Sequence, residues 1–358
     1  MKIITIIGAR PQFVKAAILS SEIKNHKDVE EVLIHTGQHY DFEMSKLFFD
    51  ELDIPLAKYN LDINQGNHAT QTGNMLIELE NIIIDEKPDC IIVYGDTNST
   101  LAGALVGSKL QIPIIHVEAG CRSFDKEMPE EINRICTDHV SSILFCSTQN
   151  GVSLLSKEGI VENVYNVGDV MFDAVLKFVE IAEKKSKILM KLGLGVKEYF
   201  LATVHRASNT DSKENLELIF DAFIESNELI VLPIHPRTRK KLEEFNLWDK
   251  YQDKNVNFIK PVGYLDMLIL EKNAHKILTD SGGIQKEAYF FKVPCITLRD
   301  TSEWVETIED GWNVLVHTDR EKILSSIKSF NPCSEQKSYF GNGDACKKIV
   351  ERIKKIIK

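Results

Sequence analysis

The stretch Lys276-Ile277-Leu278-Thr279-Asp280-Ser281-Gly282-Gly283-Ile284-Gln285-Lys286-Glu287 decides the fold. A short apolar run ends at Asp280-Ser281, passes two glycines and enters a segment of helical spacing, Ile284–Phe291. An apolar strand that turns at once into a helix is the repeating unit of a parallel sheet covered on both faces. The same rhythm continues on either side. Lys2–Gly8, Val32–Thr36, Cys90–Gly95, Ile112–Val117 and Ile143–Ser147 read as strands, as do Tyr199–Val204, Leu229–Ile234, Val256–Ile259, Lys276–Thr279 and Cys295–Leu298. Pro11–Lys24, Asn98–Leu110 and Asn215–Ser226 have the spacing and length of helices between them.

With 358 residues the chain has room for two domains, at ~100–200 residues each. The rhythm breaks near Val167, so the hinge is expected at residues 166–172. The expected organisation is two doubly wound α/β domains, 1–168 and 169–342. The tail Gly343–Lys358 is a basic helix with Ile349, Ile353 and Ile356 or Ile357 on one face. It either stays solvated or joins the first domain, and the second arrangement is adopted here. In such folds a ligand sits where the carboxyl ends of strands face a crevice.

Composition narrows the function. Lys and Arg number 43 against 53 Asp and Glu, a net charge of −10. Such a surface repels phosphates unless donors are locally concentrated, which argues against a general nucleic-acid or anionic-membrane binder. No apolar run reaches the ~18 residues of a membrane span, and the opening Met1–Ile7 reads as a buried strand, not a leader. The seven cysteines form no Cys-x-x-Cys pair, so zinc and redox motifs are not expected, and an odd, scattered set fits free thiols in the cytoplasm. Neither Gly-x-Gly-x-x-Gly after the first strand nor a P-loop occurs, so no nicotinamide or P-loop nucleotide, and no other cofactor or metal, is expected.

The chemistry-bearing residues fall at strand ends. Arg10 follows Gly8-Ala9 and precedes Pro11, with Lys15 about one turn further; the plain alternative is a surface loop. Asp96 follows an apolar strand, where capping the next helix is the simpler role. Glu118 lies at the end of the apolar strand ending His116-Val117, and a buried carboxylate needs a partner. Glu130 and Glu131 open a helix, where acids complement the dipole. Convergence of such acids on one crevice would shift their proton affinities toward acid/base use. In the second half His205-Arg206 and His235-Pro236-Arg237 each end a strand. Ser281, Gly282 and Gly283 read as an anion-binding turn at a helix start, with Glu287, one turn on, expected to accept a ribose diol; a simple strand-to-helix turn is the plain alternative.

Taken in order, Gly8-Ala9-Arg10-Pro11, Thr36-Gly37-Gln38-His39, Gly95-Asp96-Thr97, His116-Val117-Glu118-Ala119-Gly120, Pro129-Glu130-Glu131-Ile132-Asn133-Arg134, His205-Arg206 and Asp280-Ser281-Gly282-Gly283-Ile284-Gln285 resemble the non-hydrolysing UDP-N-acetylglucosamine 2-epimerase family over nearly the whole chain. The resemblance implies two Rossmann-like domains facing a cleft, as in GT-B glycosyltransferases, usually in a homodimer. It implies interconversion of UDP-GlcNAc and UDP-ManNAc, for surface polysaccharide precursors, by elimination and re-addition of UDP through a 2-acetamidoglucal. It assigns Asp96, Glu118 and Glu130 as acid/base carboxylates, with His205 and Arg10 assisting the diphosphate and Lys15 supporting them. Ser281, Gly282 and Gly283 match the diphosphate turn and Glu287 the ribose contact.

Some positions depart from the common pattern. Gln12 stands where Glu is usual, His205-Arg206-Ala207-Ser208-Asn209 replaces His-Arg-Arg-Glu, and His235-Pro236-Arg237-Thr238 and Glu303-Trp304-Val305-Glu306 also differ. These variants resemble the branch that epimerises UDP-2,3-diacetamido-2,3-dideoxyglucuronate, whose carboxylate an extra guanidinium such as Arg237 would suit. Gln38 and His39 match the family's second nucleotide-sugar site, but Asp41 and Asn67 differ, so activation by UDP-GlcNAc is not expected. The competing readings are a GT-B glycosyltransferase, a hydrolysing epimerase and a non-catalytic sugar-nucleotide sensor.

Overall fold

The computed structural model describes residues 1–38, 52, 54–252 and 254–357; His39 and Asp41 lie outside the described residues. The chain divides into two compact units, Met1–Lys177 with Ser338–Lys358, and Phe178–Lys337.

The first unit carries a seven-stranded, all-parallel sheet. Its strands are β1 (Lys2–Ile7), β2 (Glu30–His35), β3 (Tyr59–Asn60), β4 (Cys90–Tyr94), β5 (Ile114–Ala119), β6 (Ile143–Cys146) and β7 (Val164–Asn166), in the order β3-β2-β1-β4-β5-β6-β7. Ile3, Ile4, Ile6 and Ile7 are all buried, because helices cover both faces and neither side of the pleat meets water. On one face Ile4, Ile6, Ile91 and Val93 pack with Met75, Leu79 and Ile83 of the helix His68–Glu86 and Ala102 and Val106 of the helix Asn98–Lys109.

The second unit repeats the plan with six parallel strands. These are β8 (Phe200–Thr203), β9 (Ile230–Pro233), β10 (Val256–Ile259), β11 (Ile277–Thr279), β12 (Cys295–Thr297) and β13 (Asn313–Leu315), ordered β10-β9-β8-β11-β12-β13. Its core gathers Phe220, Phe223 and Tyr251 with Leu232, Leu278 and Ile296 of the strands. In each sheet the winding reverses once, between β1 and β4 and between β8 and β11, and these switch points open a crevice at the strands' carboxyl ends.

The strands missing from the sequence reading are β3, β7 and β13, each two or three residues long and each at a sheet edge. So short a strand carries no periodicity to read. The division between units also falls later than residues 168–169, inside the helix Val170–Lys185. The reason is in its side chains. Asp173 accepts the Cys346 N–H at 2.8 Å within the first unit, and Phe178 meets Tyr264 edge-on at 6.0 Å within the second. The basic tail is the helix Ala345–Ile356, part of the first unit. Its Ile349, Val350 and Ile353 are buried, and Lys354 reaches Asp28 at 2.8 Å.

Glu86 ties the β3 edge to β1. Its carboxylate accepts Lys58 Nζ at 2.5 Å, the Tyr59 hydroxyl at 2.6 Å and Lys2 Nζ at 3.1 Å. The Lys58 bond first, then those from Tyr59 and Lys2, hold its pKa down at about 2. A carboxyl lowered on folding stabilises above its unfolded value and loses that contribution as pH falls toward the folded one. Glu86→Gln is therefore expected to cost about 1–2 kcal/mol at neutral pH, allowing for the exposure of Lys58. In urea unfolding the gap from wild type should narrow as pH drops from about 5 to about 3; a gap independent of pH would remove Glu86 from this role.

Candidate active site

At the first switch point the chain leaves β1 through Gly8 into the helix Arg10–Ile23. A side chain at Gly8 would overlap Ser99 Oγ and Thr36 Oγ1, both 2.1 Å from where its Cβ would stand. Gln12 locks this turn. Its Oε1 accepts the Gly8 and Ala9 amides at 2.8 and 3.0 Å, and its Nε2 donates to the Tyr94 carbonyl at 2.9 Å. A carboxylate in its place would face that carbonyl with no proton to give, which accounts physically for Gln at this position. Arg10 is half-buried at the start of the helix.

Lys15, one turn on, donates from Nζ to Glu118 Oε1 at 2.6 Å, with both side chains largely buried. Glu118 sits at a bulge in β5 with φ of +72°. A non-glycine residue held there costs of order 1–3 kcal/mol, and such strain marks a residue aimed for a purpose. Gly95 makes room for the pair: a Cβ on it would lie 3.3 Å from Glu118 Oε1 and 3.7 Å from Lys15 Nζ. Asp96 follows, accepting Arg134 Nη2 at 2.5 Å, while Asn133 donates to its carbonyl at 2.9 Å.

Each of these two acids thus has its own cation, where the sequence suggested acids crowding one another. Asp96 does not cap the next helix; the Thr97 hydroxyl does, accepting the Thr100 amide at 3.2 Å. Glu131 is a buried latch that accepts the Ser123 and Phe124 amides at 2.8 and 3.0 Å and Arg134 Nη1 at 3.1 Å. Glu130, half-buried in the same first turn, is joined to this group through its helix. Gln38 turns inward and accepts the Ser99 amide and hydroxyl at 2.9 and 2.7 Å. Asn67 precedes the helix His68–Glu86 without a side-chain cap bond.

Behind Gly95 lies a buried network that the sequence did not disclose. His116 Nδ1 meets Asp138 Oδ1 at 2.6 Å and its Nε2 meets the Gly95 carbonyl at 2.7 Å. Arg122 donates to Asp138 Oδ2 at 2.7 Å and to both Glu158 oxygens at 2.7 and 2.8 Å. Burial alone would raise Asp138, but His116 and Arg122 outweigh it and hold the carboxyl below its ordinary value.

At the second switch point the hub is Asp280, fully buried at the end of β11. Its carboxylate accepts the His205 and Arg206 amides, both at 2.9 Å to Oδ2, and Asn209 Nδ2 at 3.1 Å. His205 Nδ1 lies 3.4 Å from Asp280 Oδ1, and the ring stands 5.5 Å from His235. His235 caps its helix, Nδ1 accepting the Arg237 amide at 3.1 Å. Arg237 is engaged: it donates to the Thr210 hydroxyl at 2.8 Å and to Asp211 at 2.6 Å.

Ser281 begins the helix Gly282–Phe290 and its hydroxyl makes no capping bond. Its amide donates to Thr279 Oγ1 at 2.9 Å. A Cβ on Gly282 would meet Glu303 at 3.5 Å and Trp304 at 3.6 Å, so these departing positions line the turn. Glu303 in turn holds Arg299 through two 3.0 Å bonds. Glu287, buried, accepts the Tyr264 hydroxyl at 3.0 Å.

A sequence model described as UDP-N-acetylglucosamine 2-epimerase matches residues 21–354. The chain belongs to the UDP-N-acetylglucosamine 2-epimerase family. A Methanococcus maripaludis protein named UDP-N-acetylglucosamine 2-epimerase homolog is 60% identical, covering 99% of this chain and 100% of that one. A Pseudomonas aeruginosa UDP-2,3-diacetamido-2,3-dideoxy-D-glucuronate 2-epimerase is 47% identical over 99% and 100%. Among solved structures, Methanocaldococcus jannaschii UDP-GlcNAc 2-epimerase in complex with UDP-GlcNAc and UDP superposes with a TM-score of 0.94 at 47% identity, covering 99% of this chain and 100% of that one. The GT-B-like class of two Rossmann-like sheets expected from the sequence holds.

Arg134, Asp138 and Asp280, to which the sequence reading gave no role, hold Asp96, His116 and the His205 amide. Each acts through a partner far along the chain, so no local spacing announces it. Gly95→Ala tests the packing argument: the added methyl should lower melting stability by about 1 kcal/mol or more, through its positive φ of +62°, and should also displace the Lys15–Glu118 pair. Differential scanning calorimetry showing an unchanged or raised midpoint would contradict it.

Proposed function

We propose that the chain is a non-hydrolysing UDP-N-acetylglucosamine 2-epimerase that interconverts UDP-GlcNAc and UDP-ManNAc. The observation that carries the reading is Glu118, held on strained backbone against Lys15 at 2.6 Å. A base at C2 of the sugar must be aimed, because the proton it takes is weakly acidic. As that proton leaves, its bonding pair forms the C1–C2 double bond and the C1–O bond breaks toward the β-phosphate. UDP and a 2-acetamidoglucal result. Re-addition of UDP to C1, with a proton delivered to the opposite face of C2, gives the epimer. No hydride moves and the reaction is redox-neutral.

In this reading Asp96, Glu118 and Glu130 supply the proton acceptor and donor, with Lys15 and Arg134 holding two of them in place. Arg10 and His205 stabilise the departing diphosphate. The Ser281-Gly282-Gly283 turn receives it at a helix start, where free amides and the dipole favour anions. Glu287 takes the ribose diol. His235 completes the wall beside His205. Arg237, which donates to Asp211 and Thr210, lies on the helix that His235 caps and completes the substrate-binding set. The relative acting on the diacetamido-glucuronate keeps that branch as a second reading. A homodimer working in the cytoplasm completes the proposal. No described helix is long and apolar enough to cross a membrane.

Proton NMR in deuterated water, with UDP-GlcNAc and the diacetamido-glucuronate nucleotide in parallel, tests it. The expected result is UDP-ManNAc carrying deuterium at C2. Turnover of the uronate alone would move the chain to the other branch, and no exchange with either would point to a sensor or a glycosyltransferase. Glu118→Gln should slow turnover by roughly 10²-fold with UDP affinity unchanged; near-normal turnover would remove Glu118 from the chemistry.

A further inference from the structure

Glu271 is a buried acid that the reaction above does not use. It is 0% exposed, and neither of its oxygens meets a hydrogen-bond donor among the described residues. It lies seven residues after Tyr264 on the helix Tyr264–Asn273, two turns along the same face. That helix packs on the helix Gly282–Phe290, which carries Glu287. Tyr264, Glu271 and Glu287 are all buried, and the Tyr264 hydroxyl already donates to Glu287 Oε1 at 3.0 Å.

An isolated carboxylate cannot stay ionised in such a place, and two facing carboxylates cannot both do so. Burial pushes Glu271 well above its ordinary value, and the neighbouring Glu287 carboxylate adds to it. As a neutral acid Glu271 has one O–H to give, and the acceptor it faces is Glu287.

We propose that Glu271 is a positioning residue: its carboxyl donates to Glu287 and, with Tyr264, fixes that carboxylate for the ribose diol of a uridine nucleotide. The inference rests on the assignment of Glu287 to the ribose. Two hydroxyl donors behind the carboxylate set its rotation and leave the charge on it, so it meets the diol already oriented. An unrestrained carboxylate would have to be ordered on binding, at a cost in affinity.

Calorimetric titration of the full chain with UDP and with 2′-deoxy-UDP isolates the diol. Wild type should bind UDP about tenfold or more tighter than the deoxy compound, as expected for a hydroxyl bonded to a charged group. Glu271→Met, apolar and of similar volume, should reduce that ratio to about twofold or less, while Glu271→Gln, which keeps a donor, should stay within about threefold of wild type. A merely structural role would lower the melting temperature of Glu271→Met and leave the ratio alone, which overturns the proposal. A wild type that does not distinguish the two nucleotides would instead sink the ribose assignment. Independently of any destabilised variant, infrared difference spectra at neutral pH should show the carbonyl band of a buried carboxylic acid in wild type, absent in Glu271→Gln. Its absence from wild type contradicts the proposal.

Discussion

A strand buried on both faces can bring a charged side chain to solvent only where it ends. That constraint governs both units. Ile3 to Ile7 and Cys90 to Tyr94 are buried without interruption, so polar chemistry is confined to the residues just past them: Arg10, Lys15, Asp96. In the second sheet the same holds for β8 and β11, which end at Thr203 and Thr279 and are followed by His205 and by Asp280-Ser281. Because the winding reverses between these neighbouring strands, the helices that follow them leave on opposite sides and the ends stay open. The chemistry is where it is because the sheet has nowhere else to put it.

Holding charges at such places has a cost that the structure meets by pairing. Glu118 has Lys15, Asp96 has Arg134, Glu131 has two amides and the same arginine, and Asp280 has a fan of amides from β8's end. The pairs do more than offset desolvation. Removing one partner from a buried pair leaves an uncompensated charge, so each pair also fixes the other's position. Glu118 adds backbone strain, and its neighbours show what opposes that strain: a short bond to Lys15 and a glycine at 95 with no side chain to obstruct it. Glu271 departs from this pattern, a buried acid with a second acid for a neighbour, and neutrality is the physical way out.

Much of this was legible in the chain. Long apolar strands followed by Gly-Ala-Arg-Pro or Ser-Gly-Gly declare themselves, because an uninterrupted β-branched run closed by a glycine turn suits a buried strand entering a helix and little else. The strand-end residues Arg10, Asp96, Glu118, His205 and Ser281 could be named for the same reason. Short edge strands such as Asn313–Leu315 could not, since pairing with β12 rather than pattern makes them strands. Nor could the partners. Arg134 reaches Asp96 across 38 residues and Asp280 collects His205 across 75, and only the folded sheet brings them together. Arg237 reads as a guanidinium at a strand end in the sequence; its bonds to Asp211 and Thr210 show only in the structure.

The proposed reaction eliminates UDP from the sugar nucleotide and adds it back. Positional isotope exchange examines the bond that must break. UDP-GlcNAc carrying oxygen-18 in the bridge between C1 and the β-phosphorus should, on incubation with the enzyme, lose the label from the bridge to the non-bridging β-phosphate oxygens at a rate comparable with epimerisation. Epimerisation with the label retained in the bridge would mean that the C1–O bond never opens, and the account would be wrong.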